Sequence, residues 1–328
     1  MLGAGVFVFC LLASASATPS VVRSREEIEA YRRFLEATKT GDDGVLSLNK
    51  KPPLANPEEN GRYQGDIILD DYMIEAMLDS YAMGRNAIIL PNTKWPEGTV
   101  VWEFGEGEFG PQQQAAIQEA IEDIKNHTCV KFRQRQPEDT AYVRLTGLAT
   151  GCNSHLGYNE SRGVHTMNLA RSTPGVGCFR HATIVHEWMH ILGFLHMQST
   201  HNRNEYVKIV KENLISGTEH NFEIYGPDLV SNLGVEYEYV SCLHYGPTAF
   251  TANGEPTIVE HEGTMGQRVY VTEKDWLRIN RHYNCPGAWS AEYVDQMEKE
   301  VERTKDLYSE PVQQERKGES EAATEQES

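Results

Sequence analysis

The chain has 328 residues, 48 of them Asp or Glu against 30 Lys or Arg, and the resulting formal charge of −18 excludes a basic nucleic-acid binder. With 39% hydrophobic, 9% aromatic and 24% charged residues it has a globular composition and enough length for one sizeable core. Its longest apolar stretch, Val6 to Ala13, is about half of the ~18 residues needed to cross a bilayer, so no membrane span is expected.

Ala15-Ser16-Ala17 follows that stretch and gives the small-x-small pattern of a cleavage site, so residues 1–17 read as a secretory signal and the protein is expected to be secreted and extracellular. Cys10 leaves with the signal. Cys129, Cys152, Cys178, Cys242 and Cys285 remain, an odd set in an oxidising compartment, which leaves at least one thiol free or paired between chains. Asn126-His127-Thr128 and Asn159-Glu160-Ser161 are glycosylation sequons.

Residues 18–85 are polar, with helical patches at Glu26 to Ala37 and Asp70 to Met83 around Pro52, Pro53 and Pro57, and read as an appendage. Globular patterning begins after Gly84-Arg85, a basic boundary that invites proteolysis. Gly98 to Phe104 predicts a strand. A helix should run from Pro111 to about Asn126, with Ala115, Ile117, Ala120, Ile121 and Ile124 at helical spacing. Val130 to Phe132, Tyr142 to Thr146 and Val164 to Leu169 predict further strands, giving an α/β N-terminal half. Beyond His196 glycines break the pattern until Glu273 to Tyr283, which again reads as a helix. The acidic segment 287–328 has one apolar helical series, Tyr293, Met297 and Val301, and a disordered composition beyond it.

The chemistry is concentrated in His186-Glu187-Trp188-Met189-His190-Ile191-Leu192-Gly193-Phe194-Leu195-His196. On a helix, positions i and i+4 share a face, so His186 and His190 can converge on one ion. Gly193 permits a left-handed backbone that ends the helix and turns the chain, so that His196 supplies a third nitrogen. Three histidines leave a fourth position for water, the mark of a catalytic zinc site, and Glu187 lies where a general base for that water belongs. Zinc is therefore the expected cofactor, with peptide-bond hydrolysis as the reaction and protein or peptide substrates as partners. A zinc-binding module without activity is the rival reading, and the intact Glu187 argues against it.

These residues resemble the metzincin clan and, within it, the astacin family of secreted zinc endopeptidases. Ser241-Cys242-Leu243-His244-Tyr245 is similar to the family's Met-turn, with Leu243 in place of methionine. The resemblance implies that Tyr245 stabilises the oxyanion of the tetrahedral intermediate. It also implies an α+β, two-lobed catalytic domain at 86–286, with a twisted N-terminal sheet plus helices, an irregular C-terminal lobe and the zinc between them. The family's two disulfides map onto Cys129 with Cys285 and Cys152 with Cys178, leaving Cys242 as a buried odd thiol. Met197 stands where the family places a glutamate that engages the mature N-terminus, and Thr200 where an arginine is common; Arg203 and Tyr206 match.

Tyr63-Gln64-Gly65-Asp66 is similar to the family's propeptide motif, whose aspartate binds zinc in place of water. Residues 18–85 would then be a propeptide with Asp66 as its switch, removed by a trypsin-like protease between Arg85 and Asn86. Gly266-Gln267-Arg268 resembles the stretch that, in tolloid and meprin relatives, favours an acidic residue after the scissile bond. The resemblance also implies that Cys152-Asn153-Ser154 forms the sheet edge on which extended substrate pairs. A monomer is expected.

Overall fold

The computed structural model describes residues 23–40, 59, 61–82, 93–225, 232–260, 263–292 and 295. The signal at 1–17, the Pro-rich stretch, the Arg85–Asn86 cleavage point and the tail series Tyr293, Met297 and Val301 lie outside those residues.

Among the described residues two helices precede the bulk of the main sheet. Helix α1, Arg25–Thr40, starts in a reciprocal cap: Glu27 N donates to Ser24 Oγ and Ser24 N to the Glu27 carboxylate, at 3.2 and 2.8 Å. Helix α2, Asp71–Ala82, is capped by Asp70, whose Oδ1 accepts from Met73 N at 2.8 Å. Between the helices lies a two-residue strand, β1, Ile67–Ile68. Tyr63, Ile67, Leu69, Met73, Ile74 and Met77 bury their side chains together with Leu35 and three residues from further along the chain, Leu156, Leu195 and Tyr225. The segment thus has its apolar face on the rest of the protein.

The main sheet adds β2 (Thr99–Phe104), β3 (Lys131–Gln134), β4 (Tyr142–Thr146), β5 (Cys152–His155) and β6 (Val164–Leu169) in the order β1-β5-β6-β4-β2-β3. Neighbours run parallel except β5 against β6. The predicted edge at 152–154 is second in the sheet, because Ile67 and Ile68 pair in parallel with Ser154 and His155. An edge strand's unpaired N–H and C=O groups recruit a neighbour, and here the chain's own N-terminal segment supplies it.

Helix α3, Pro111–His127, buries Ile117, Ala120, Ile121 and Ile124 at the predicted spacing. Helix α4, His181–Ile191, is buried from Ala182 through Ile191, as a helix crossing the middle of a core must be. Both join the core cluster beneath the sheet. After His196 regular structure thins to short 3₁₀ turns and a two-stranded pair, β7 (Val207–Ile209) with β8 (Ile258–Glu260), until α5, Glu273–His282. A mixed sheet with helices followed by an irregular half is the expected α+β arrangement. Cys129 bonds Cys285, fastening the end of the irregular half to the start of β3, and Cys152 bonds Cys178, fastening β5 just ahead of α4.

His165 is fully buried on β6, its Nε2 accepting from Asn159 N at 2.9 Å. Burial, reinforced by the Arg162 charge, pulls its pKa down to about 3, against roughly 6.5 in an unfolded chain. Between those values the unfolded state binds a proton that the native state refuses, so stability is lost as pH falls through that window. Replacing His165 by Gln is expected to make the fall in melting temperature between pH 6.5 and 4 shallower than in wild type, measured by calorimetry. An unchanged slope would show that His165 does not carry this dependence.

Candidate metal centre

The end of α4 builds the centre. His186 and His190 lie one turn apart with their Nε2 atoms 3.0 Å from each other. The helix stops at Leu192, and Gly193 takes φ +104°, a backbone conformation that side chains rarely adopt; a Cβ there would sit 3.0 Å from Thr93 Oγ1. This turn brings His196 beside the other two.

Each ring is oriented from behind. His186 Nδ1 lies 2.7 Å from Cys242 O, His190 Nδ1 2.7 Å from Phe194 O, and His196 Nδ1 3.1 Å from Gln64 Oε1. With acceptors at all three Nδ1 positions, hydrogen-bond partners assign the proton to Nδ1, and the three Nε2 atoms present lone pairs to one another.

Asp66 closes the group. Its Oδ2 lies 3.1 Å from His186 Nε2 and 3.3 Å from His196 Nε2, and its Oδ1 lies 3.4 Å from His190 Nε2. All four side chains are fully buried. Burial alone would push the Asp66 carboxyl up, but the charge of His196 and His190 and hydrogen bonds from His186 and His190 outweigh it and hold Asp66 well below the usual carboxylate range. Burial pulls His196 down to about 4 despite Asp66 beside it. Positive charge facing Asp66 is what keeps it ionised, and burial makes a protonated His196 a poor source of that charge.

An ionised carboxylate and three inward lone pairs repel one another unless a cation lies between them, and Asp66 Oδ1 has no hydrogen-bond partner among the described residues. Donors bound at 2.0–2.1 Å to a tetrahedral zinc sit about 3.3 Å apart, close to the separations of 3.0 to 3.4 Å between His186 and His190 and from each histidine to Asp66. The whole set lies within 4.8 Å, so the residues fit zinc.

Around this centre, Glu187 is fully buried and its Oε2 accepts from Ser154 Oγ at 2.5 Å. The Tyr245 ring lies 4.6 Å from that of His196, with its hydroxyl donating to Gln64 O at 2.5 Å. Leu243 is buried in the main core and its carbonyl accepts from Met197 N at 3.0 Å. Asp275, in the N-terminal turn of α5, accepts from Ser241 Oγ at 2.6 Å and Cys242 N at 3.0 Å, which fixes the carbonyl that orients His186. Burial pushes the free Cys242 thiol well up, an inert environment for it.

Gly266 packs so tightly on the turn that a Cβ there would lie 2.3 Å from Gly246 Cα. Two residues on, Arg268 is half-buried and donates to His244 O at 3.0 Å, beside Tyr245. Met197 is buried in an apolar cluster and Thr200 is buried beside it, while Arg203 donates to Gln198 O and Phe222 O at 3.0 and 2.7 Å. Asn126 is exposed on the last turn of α3; Asn159 is half-buried, its Oδ1 accepting from Ser161 N at 3.0 Å.

Sequence reasoning misses the roles of two residues. Gln64, fully buried at φ +48°, receives His196 Nδ1 and donates through Nε2 to Ser199 Oγ at 3.0 Å and Tyr225 OH at 3.3 Å. Ser154 is predicted only as sheet edge, yet its side chain orients Glu187. The sole signal for Gln64 is its place inside Tyr63-Gln64-Gly65-Asp66.

The peptidase family described as Astacin matches residues 87–284. The chain is 31% identical over 291 residues to the zinc metalloproteinase nas-4 of Caenorhabditis elegans, covering 85% of this chain and 90% of that one. It is 34% identical over 244 residues to meprin A subunit beta of Homo sapiens, covering 73% of this chain and 32% of that one. Among solved structures it is similar to high choriolytic enzyme 1, a hatching-enzyme zinc protease from Oryzias latipes, with TM-score 0.52 and 31% identity over 58% of this chain and 93% of that one.

Proposed function

Because the chain belongs to the astacin family of zinc metallopeptidases, we propose that it is a secreted zymogen whose residues 18–85 hold the peptidase domain, 86–286, closed until a trypsin-like protease cuts between Arg85 and Asn86. The observation that carries this reading is the Asp66 carboxylate at the three histidine Nε2 atoms, where the enzyme's water belongs. A second support is the pairing of Ile67–Ile68 with β5, the edge on which extended substrate would lie. Both obstructions leave with the same segment.

In the opened enzyme His186, His190 and His196 would hold zinc, which when bound would supply Lewis-acid polarisation and a water of pKa ~7. Glu187, steadied by Ser154, takes the proton from the attacking water and passes it to the leaving amine. Tyr245, relieved of Gln64 O, turns its hydroxyl to the developing oxyanion, where a hydrogen bond is stronger than to the ground-state carbonyl. Arg268 favours an acidic residue after the cut. The two disulfides and a glycan on exposed Asn126 suit the secreted compartment; Asn159, half-buried with its Nδ2 facing Asp70, is left without one.

The test is to treat the secreted chain with trypsin and identify cuts in a diverse peptide mixture by mass spectrometry. Chelator-sensitive cuts that appear only after processing at Arg85, with Asp or Glu enriched after the cut, are expected. A correctly processed, zinc-loaded chain that makes no cuts would overturn the reading.

A further inference from the structure

Asp66 meets the metal donors, Ile67 and Ile68 lie on β5, and the chain continues through buried Leu69 to Asp70. At about 3.3 Å per extended residue, Asp70 stands at most roughly 13 Å along the chain from Asp66, past the Ile68–His155 pair. There its Oδ2 accepts from Arg162 Nε at 2.7 Å and faces Asn159 Nδ2 at 3.4 Å. The Arg162 side chain is only 6% exposed.

The other contacts of this guanidinium divide between the two parts of the chain. One nitrogen donates to Gly157 O at 3.1 Å, and the other lies 3.6 Å from Met73 Sδ. Gly157 is rigidly held: its N donates to His190 O at 2.9 Å, and a Cβ on it would lie 2.5 Å from Thr93 Cβ. Arg162 is therefore anchored to the frame that carries the metal helix. Asp70 and Met73 leave with the N-terminal segment, and the guanidinium that stays behind is permanently charged and lacks the carboxylate it was buried against. With that segment gone water can reach the guanidinium, and what remains is a fixed, permanently charged fork placed to pair with a carboxylate.

We propose that Arg162, with Asn159 beside it, is a subsite that receives an acidic side chain of the substrate about four residues from the scissile bond, in the place Asp70 fills in the closed chain. This rests on the reading of β5 as the substrate's edge. It is separate from Arg268, which acts beside Tyr245.

The test uses trypsin-processed enzyme and pairs of synthetic peptides differing only by Asp or Asn at the third, fourth or fifth residue from the cut, on either side. One position is expected to favour Asp by roughly tenfold to hundredfold in kcat/KM, carried by KM. In Arg162→Gln the Asp-to-Asn ratio at that position should fall to about 1. Equal rates for Asp and Asn at every position in wild type would overturn the proposal, as would a ratio unchanged in Arg162→Gln, which would make Arg162 only a staple of the closed form. If Arg162→Gln does not fold, the wild-type peptide pairs decide alone. Absence of any chelator-sensitive cut would instead bring down the underlying reading, and this subsite with it.

Discussion

Glu187→Gln is expected to lower kcat/KM of the processed enzyme by about 10³- to 10⁴-fold, the upper range for a single general acid–base group. The substitution keeps the volume, and its amide oxygen can still accept from Ser154 Oγ, the 2.5 Å partner of the native carboxylate. What it loses is the ability to take a proton. Glu187 is not among the four donors that face one another, so zinc content should remain at one per chain. Steady-state kinetics with metal analysis on the same sample checks both halves. A variant retaining a tenth or more of wild-type activity would remove Glu187 from the proton path, and one that lost zinc would show that the residue acts on the metal instead.

Asp66→Ala is expected to raise the activity of the unprocessed chain by about 100-fold or more over unprocessed wild type, on the reasoning that even supporting groups around a metal change its affinity 10- to 100-fold. Asp66 provides the only charged donor in the group, and in its absence three neutral imidazoles leave a position for water. The segment would still be held by Ile67–Ile68 on β5, Gln64 at His196 and Asp70 at Arg162, so the activity should stay below that of trypsin-processed enzyme. Asp66→Asn should behave alike, since the shape is kept and the charge lost. Both unprocessed variants remaining silent would mean that strand pairing, not the metal contact, enforces latency.

The metal helix is legible in the sequence because its spacing is mechanical: four residues set two histidines on one face, and one glycine turns the third inward. Helix α3 is legible for a similar reason, its apolar positions recurring at the helical period, while strands β4 and β6 show through their β-branched, aromatic and aliphatic content. The disulfide pairs follow from resemblance, since five cysteines alone do not fix a pairing.

What escapes are contacts between residues far apart in the chain. Ser154 meets Glu187 across 33 residues and Arg162 meets Asp70 across 92, and nothing local in either stretch encodes the partner. Strand β1 is two residues long, too short to show a period of two, so its capture of the β5 edge could not be read from Ile67 and Ile68. Gln64 carries no chemical signature of its own; its part in the site arises from a left-handed backbone that presents its carbonyl to Tyr245 and its amide to His196.

In the proposed zymogen the chain closes its own zinc centre with Asp66. X-ray absorption at the zinc edge of the unprocessed protein, compared with Asp66→Ala, tests it most directly. One zinc per chain with three imidazole nitrogens and a carboxylate oxygen, the carboxylate replaced in the variant, is the result predicted; a wild-type chain without zinc, or a coordination shell identical in the two proteins, would contradict it.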